Sequence, residues 1–338
     1  MATDRSKKGS ILIAVLWSLF FLAALALVIN TTITAQLGLA GKIRDRATQH
    51  YLAKAGIKVA IIEIRADETE NFDALNEPWS NNEDAFKEIE IADGEYFSIE
   101  YSLPTEEEDT AGEKRYGLID EERKININTA PVEVLKQFFE IVGKTSSQDA
   151  TDIADAIIDW IDEDDEPSDN GAESSYYEGL EAGYPCKNAE FEILEGLLLV
   201  KGVTQTIFNK VNDRLTVYGS GSVNINTADA LVLQSLGMSA DLAEKVILFR
   251  QGGDGKEATE DDNIFEDGGA IAATLSAGRS LNPVERQELD DVVEAGFLTV
   301  QSNNFRGQAV GGFTEQTFHA RIIFVITRDE KIRYWQEG

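Results

Sequence analysis

Apolar residues fill positions 11 to 29, ILIAVLWSLFFLAALALVI, with no charged side chain among them. At about 1.5 Å rise per residue, such a run roughly matches a bilayer hydrocarbon core of about 30 Å. It is longer than the apolar region of a secretory signal, about 7 to 15 residues, and no small-residue cleavage site closes it. No proline interrupts the chain before Pro78, so the membrane helix is expected to continue as a long amphipathic helix. In its later part, Ala47, Tyr51, Ala55, Val59 and Ile62 recur at three- and four-residue intervals and predict one apolar stripe. Part of that stripe is expected to cover strands at 93–103 and 318–335.

The pattern then changes period. In GEYFSIEYSL, Tyr96, Ser98, Glu100 and Ser102 alternate with Phe97, Ile99, Tyr101 and Leu103, as in a strand. RYGLID, AGFLTVQS, FHARIIFVITRD and IRYW read as further strands, the polar TEEEDTAGEK as a loop, and Asp84–Ile89 as a short helix. Between these ends the apolar spacing is helical: VEVLKQFFEIV, SQDATDIADAIIDWID, AEFEILEGLL, TQTIFNKVNDRL, ADALVLQSL and SADLAEKVILFRQ. The expected fold is α+β: an N-terminal helix over 10–66, with its membrane span at about 11–29, packed on a small antiparallel sheet from 67–122 and 291–338. A large all-α domain over 123–290 is inserted into it.

The helical part contains an echo. KININTAPVEVLKQF at 124–138 matches VNINTADALVLQSL at 223–236. Thr129 and Thr227 are placed to cap the following helices, and Pro131 falls in a first turn, where its missing N–H costs nothing. The two units resemble helix-hairpin-helix elements, many of which grip a DNA backbone. DNA binding needs a glycine-flanked hairpin and nearby basic residues, and the loops LGMSADL and EIVGKTSSQD lack that combination.

Charge argues the same way. Thirty basic residues against 61 acidic ones give a net charge of −31, a field that repels phosphate backbones and favours cations or basic surfaces; no nucleic-acid partner is expected. Cys186, the only cysteine, excludes an intrachain disulfide, and His50 and His319 form no zinc or catalytic constellation. Arg5, Lys7 and Lys8 before the apolar run place the N-terminus in the cytoplasm and the body beyond the membrane.

The densest chemistry is DWIDEDDEPSDNGAESSYY at 159–177. On the spacing of an EF-hand loop, Asp162 takes position 1, Asp164 position 3, Glu166 position 5 and Glu173 position 12, but Pro167 replaces the glycine at 6. Crowded carboxylates repel unless protonated or bridged by a cation, and oxygen-only ligands favour calcium over zinc. One or two calcium ions are expected, with Asp162, Asp164, Asp165 and Glu173 as ligands. A second acidic loop, GGDGKEATEDDNIFEDGG at 252–269, offers oxygens and glycines on no recognisable spacing. Asp159, Asp162 and Asp164 can also be read as the paired carboxylates of a hydrolase, but no nucleophile–base pair accompanies them; no enzyme activity is expected.

Taken in order, the basic leader 1–9 ending in Gly9, the apolar run, DWIDEDDEP…GAESSYY, LEGLLLVKGVT, VNINTADALVL and FLTVQS…RIIFVITRDEKIRYW resemble the type II secretion minor pseudopilin K family along nearly the whole chain. The resemblance implies a pseudopilin fold with a large inserted helical domain, and calcium bound in that domain. It implies cleavage of a prepilin leader between Gly9 and Ser10 by prepilin peptidase, with methylation of the new terminus. It further implies an inner-membrane, periplasm-facing subunit that joins minor pseudopilins I and J above the major subunit of the pseudopilus, leaving residues near 36–50 to pack against partner helices. Pilins and most pseudopilins carry a glutamate five residues after the cut, where this chain has Ala14, a departure suited to a tip with nothing stacked above it.

Overall fold

A computed structural model describes residues 5–67, 69, 71–102 and 114–338; the start of the leader and most of the loop TEEEDTAGEK lie outside them. Helix α1 runs unbroken over Arg5–Arg65. Its first part, from Ser10, is fully solvent-facing and is the one stretch, among the described residues, long and apolar enough to cross a membrane.

The far end of α1 lies on an antiparallel sheet. The short helix α2 (Glu83–Phe86) precedes β1 (Ile89–Ala92) and β2 (Glu95–Ser102), followed by the two-residue strands β3 (Lys114–Arg115) and β4 (Ile119–Asp120). The chain then leaves for the helical region and returns in β9 (Asn304–Phe313), β10 (Ala320–Thr327) and β11 (Ile332–Glu337). Spatial order is β1-β2-β9-β10-β11, with β3 added to β2 and β4 to β9.

Two expectations are corrected here. The central strand, β9, was not among the expected strands: its sequence NFRGQAVGGF has no clean alternation and three glycines. Those glycines are steric requirements. A Cβ on Gly311 would overlap the α1 backbone at Gln49 and Ala53, and one on Gly307 would strike Leu118 and Phe324. The second correction follows from the same close approach. The face of α1 on the sheet is not the Ala47–Tyr51–Ala55–Val59–Ile62 stripe but Leu52, Ala53, Gly56, Ile57, Ala60 and Ile64. Small residues let the helix settle onto β2 and β9, with Gly56 against Phe97 and Ile99, and this outweighs the larger apolar residues one position away. Tyr51 and Ile62 stay 70% and 57% exposed.

The helical region holds α3 (Val132–Ile141), α4 (Ser147–Ile161), α5 (Ser174–Tyr177), α6 (Gln205–Val211), α7 (Ala230–Ser235), α8 (Ala240–Arg250), α9 (Ile271–Gly278) and α10 (Pro283–Glu294). AEFEILEGLL is not an α-helix; only Leu194–Leu199 coil, as a 3-10 turn. Two parallel pairs of two-residue strands close the region: β5 (Ile125–Asn126) with β6 (Leu215–Thr216), and β7 (Val223–Asn224) with β8 (Leu298–Thr299). AGFLTVQS thus pairs inside the helical region and not in the main sheet. One apolar cluster runs through this region from Ile125 to Val300, and a separate one joins α1, Trp79, Phe86, Ile99 and Leu118 to Phe305, Ala309, Ile322, Phe324 and Ile326.

Candidate metal centre

The local fold brings three carboxylates to one point at the end of α4. Ser146 caps that helix by accepting from Asp149 N–H, and Ala150, Ile153, Ala154 and Ile157 bury one face. That face carries Asp159 inward in the last turn, and Asp162 follows three residues later on the same side. The loop then doubles back, and Glu173 enters at the start of α5 without using its side chain as a cap. One carboxylate oxygen from each of Asp159, Asp162 and Glu173 lies within 4.8 Å of the other two.

The loop is built around Asp159. Ser168 donates to it through Oγ at 2.6 Å and through its N–H at 3.2 and 3.1 Å. Gly171 passes so close that a Cβ there would overlap Asp159 Oδ2. Lys201 Nζ fastens the carbonyls of Asn170 and Gly171, each at 2.9 Å. Trp160 sits beneath, edge-on to Tyr177 at 5.0 Å and stacked on Phe191 at 6.3 Å. That aromatic floor lowers the local dielectric and makes unbalanced charge expensive.

The carboxylates are unbalanced. Both oxygens of Glu173 and Oδ1 of Asp162 are buried without a hydrogen-bond partner. Burial, then Asp159 and Asp162, push the Glu173 carboxyl up to about 7. Burial, then Asp164 and Asp159, push Asp162 upward too. Orphaned carboxylate oxygens converging on one point fit a hard divalent cation.

Of the ligands expected from sequence, Asp162 and Glu173 are in the cluster. Asp164 and Asp165 are exposed and lie outside the three-carboxylate cluster: Asp164 Oδ1 accepts from Glu166 N–H at 2.8 Å, while Asn188 Nδ2 contacts Asp164 O at 2.8 Å and Asp165 Oδ1 at 3.4 Å. Positions 1 and 12 of the EF-hand spacing converge, while the residues from 163 to 169 between them are exposed. Asp159, three residues before Asp162 on the helix, takes the third place. Its helical spacing from Asp162 and the buried helix face were the available signals.

The second acidic loop follows a different plan. Asp261 Oδ2 accepts from the N–H groups of Gly253 and Asp254 at 2.7 and 3.0 Å, and Asp262 accepts from Ala258 N–H at 2.7 Å. Buried Arg250 contacts Glu257 and donates to the carbonyls of Ile225 and Ala228 at 2.9 and 2.6 Å. A further carboxylate group, Asp67, Asp73 and Glu77, is held by protein donors. Arg328 pairs with Asp67 and Asp73, and Glu77 accepts from Trp79 Nε1 and Ala74 N–H.

The repeated INTA segments do not cap as expected. Pro131 and Asp229 occupy the N-cap positions, and Asp229 accepts from Val232 N–H. Thr227 Oγ1 instead donates to Asp120 at 2.5 Å.

Residues 116–220 match the family described as type II secretion system (T2SS), protein K. Type II secretion system protein K of Dickeya chrysanthemi is 30% identical over 126 residues, which are 35% of this chain and 34% of that protein. The protein of the same name from Pectobacterium carotovorum subsp. carotovorum is 28% identical over 111 residues, 32% of this chain and 34% of that protein. The matches thus span about a third of the length of each relative. In fold, the chain is similar to a chain of the GspK-GspI-GspJ complex from the enterotoxigenic Escherichia coli type 2 secretion system, with TM-score 0.61, 16% identity, and coverage of 90% of this chain and 98% of that one. Over residues 116–220 the chain therefore carries a domain of the type II secretion system protein K family, within a mixed fold of long N-terminal helix, antiparallel sheet and helical insert.

Proposed function

We propose that this chain is the minor pseudopilin K of a type II secretion system. It caps the tip of the pseudopilus together with minor pseudopilins I and J, above the major subunit, and acts by assembly and not by catalysis. The observation that carries the reading is the coincidence of the protein K match over residues 116–220 with a fold match that covers 90% of the chain. The apolar start of α1 is the inner-membrane anchor, with the basic N-terminus cytoplasmic and the body periplasmic. Prepilin peptidase cuts between Gly9 and Ser10, and intact-mass analysis of the mature chain beginning elsewhere would overturn that site.

The solvent-facing side of α1, with Leu37, Leu39, Ile43 and Tyr51 exposed, supplies apolar area for partner helices. The helical insert is a bulky attachment on the sheet domain and obstructs stacking of another subunit. Co-purification with I- and J-type partners should give a discrete 1:1:1 complex by light scattering, and the chain alone should form no filaments. Three separate species at tens of micromolar, or self-polymerisation, would contradict the tip role.

Calcium is the cation for the centre at Asp159, Asp162 and Glu173. What supports it is the set of orphaned, buried, oxygen-only donors. Bound there, the ion ties the end of α4 to the start of α5 and makes the loop between them a rigid surface.

A further inference from the structure

The chain enters the helical region after Asp120 and leaves it before Asn304, and a buried polar seam joins the two crossings. Ser302 bridges two carboxylates: its N–H donates to Asp73 Oδ2 at 2.6 Å and its Oγ to Asp120 Oδ2 at 2.7 Å. Asn224, from the second INTA segment, reaches Asp73 O, Asp120 Oδ2 and Ser302 Oγ at 3.0, 3.2 and 2.9 Å. Thr227 also donates to Asp120. Asn304 donates to both oxygens of Glu122, from Nδ2 at 2.7 Å and from N–H at 3.0 Å. Backbone bonds from Asn224 N–H to Glu122 O and from Asp73 N–H to Val300 O complete the join, at 2.8 and 2.7 Å.

The charges in this seam do not balance. The segment after α1 contributes Asp67, Asp73 and Glu77; the end of β4 contributes Asp120 and the turn after it Glu122 and Arg123; and the turn after β10 contributes Arg328. The segment 223–227 and the segment 300–304 bring only neutral groups to it. Glu121, beside these residues, is paired with Lys124 at 2.5 Å, held by Thr216, and flanked by Arg306. Five carboxylates thus meet two guanidinium groups, and Asp73, Asp120 and Glu122 are at most 4% exposed.

We propose that this seam is a proton-operated clamp: protons shared among its surplus carboxylates hold the helical region against the sheet domain, and their loss loosens the join. Burial pushes Asp73 and Glu122 each up to about 8 and raises Asp120, and the carboxylates raise one another. Groups whose native values lie above their unfolded ones stabilise fully below the unfolded value near 4, and that stabilisation is lost as pH rises through about 8. The seam is therefore tightest in acidic medium and loosens progressively as pH rises toward about 8, levelling off above it.

Hydrogen exchange of the full chain in detergent micelles tests this, with rates corrected for intrinsic exchange across pH 6 to 9. The opening constant at the amides of Glu122, Asn224, Ser302 and Asn304 should rise up to about tenfold per pH unit for each proton released, while amides of α4 from Ile153 to Ile157 stay level. Glu122→Gln removes one titrating group at nearly constant size and should flatten the rise. Arg328→Gln withdraws the positive charge that lowers Asp73 and should extend the loosening to higher pH. Seam protection that is independent of pH in the wild-type chain, or a rise unchanged in Glu122→Gln, would overturn the clamp. So would a pH dependence that saturating calcium abolishes and EDTA restores, because the surplus charge would then be balanced by metal and not by protons.

Discussion

The two halves of the helical region repeat one plan and balance its charge differently. In each, a short strand carries N-x-N-T-A. The first asparagine accepts from the N–H of the second, at 3.0 Å for Asn126 and 2.9 Å for Asn224. The second asparagine exchanges two hydrogen bonds with the backbone of a distant phenylalanine: Asn128 with Phe191, Asn226 with Phe265. Two helices follow, then an acidic loop, that phenylalanine, a 3-10 turn, further helix, and a strand that returns parallel to the first. Counted from the serine caps Ser146 and Ser239, Ala150 corresponds to Ala243, Ile153 to Val246 and Ile157 to Arg250. Among the described residues, no basic side chain pairs with the carboxylates clustered in the first loop, where Lys201 holds only the carbonyls of Asn170 and Gly171. The second receives the Arg250 guanidinium where the first has an aliphatic side chain. The contrast is that the protein supplies a basic side chain to a carboxylate of the second loop and none to the clustered carboxylates of the first, and loop composition alone does not reveal which case applies.

The sharpest way to break the comparison is to remove the built-in cation. Arg250→Leu leaves Glu257 and two buried carbonyls unpartnered and should cost about 3–5 kcal/mol in chemical denaturation, the usual cost of breaking a buried ion pair. A loss under about 1 kcal/mol would mean that the second loop does not depend on Arg250.

Next in size is the first loop's cation. Calcium at a hundredfold excess over Kd should stabilise by about 2.7 kcal/mol, and Glu173→Gln or Asp159→Asn should erase that gain in thermal melts. The gain should also grow with pH. In the metal-free protein Glu173 is raised to about 7, so its stabilising contribution is complete below the unfolded value near 4.5 and is lost as pH rises through 7. Calcium replaces the proton, and the melting-temperature difference between calcium and EDTA should widen from pH 5.5 to 8. A constant difference would remove Glu173 from the site.

Much of this was legible in the sequence, and the failures share a cause. Period-two and helical combs located β2, β10, α3, α4, α7 and α8, because each buries one regular face. β9 was invisible because its glycines are selected by what lies against them, the α1 backbone and Phe324. The buried face of α1 was misplaced for the same reason: close approach selects Ala53, Gly56 and Ala60, which carry little hydrophobic signal. In the acidic loop, spacing picked out Asp162 and Glu173, whose carboxylates the fold brings together. It missed Asp159, which belongs to the preceding helix, and included Asp164 and Asp165, which face solvent. Thr129 and Thr227 looked like caps because only local sequence was in view; Thr227 is committed to Asp120, 107 positions away.

A smaller effect sharpens the repeat itself. Asn128→Ala and Asn226→Ala each strand a phenylalanine backbone N–H and carbonyl and should cost about 1–3 kcal/mol. Asn226 should cost the more, since its bonds are fully buried and those of Asn128 partly so. Smallest of all, Asp164→Asn or Asp165→Asn should change stability by less than about 0.5 kcal/mol, with or without calcium.

The most direct test of the contrast between the halves is the stoichiometry of calcium bound to the full chain in detergent, measured by isothermal titration calorimetry. One ion per chain is expected, lost in Glu173→Gln and retained in the double variant Asp261→Asn, Asp262→Asn. Two ions, or binding that survives Glu173→Gln and disappears in the double variant, would place the cation in the wrong half and contradict the account.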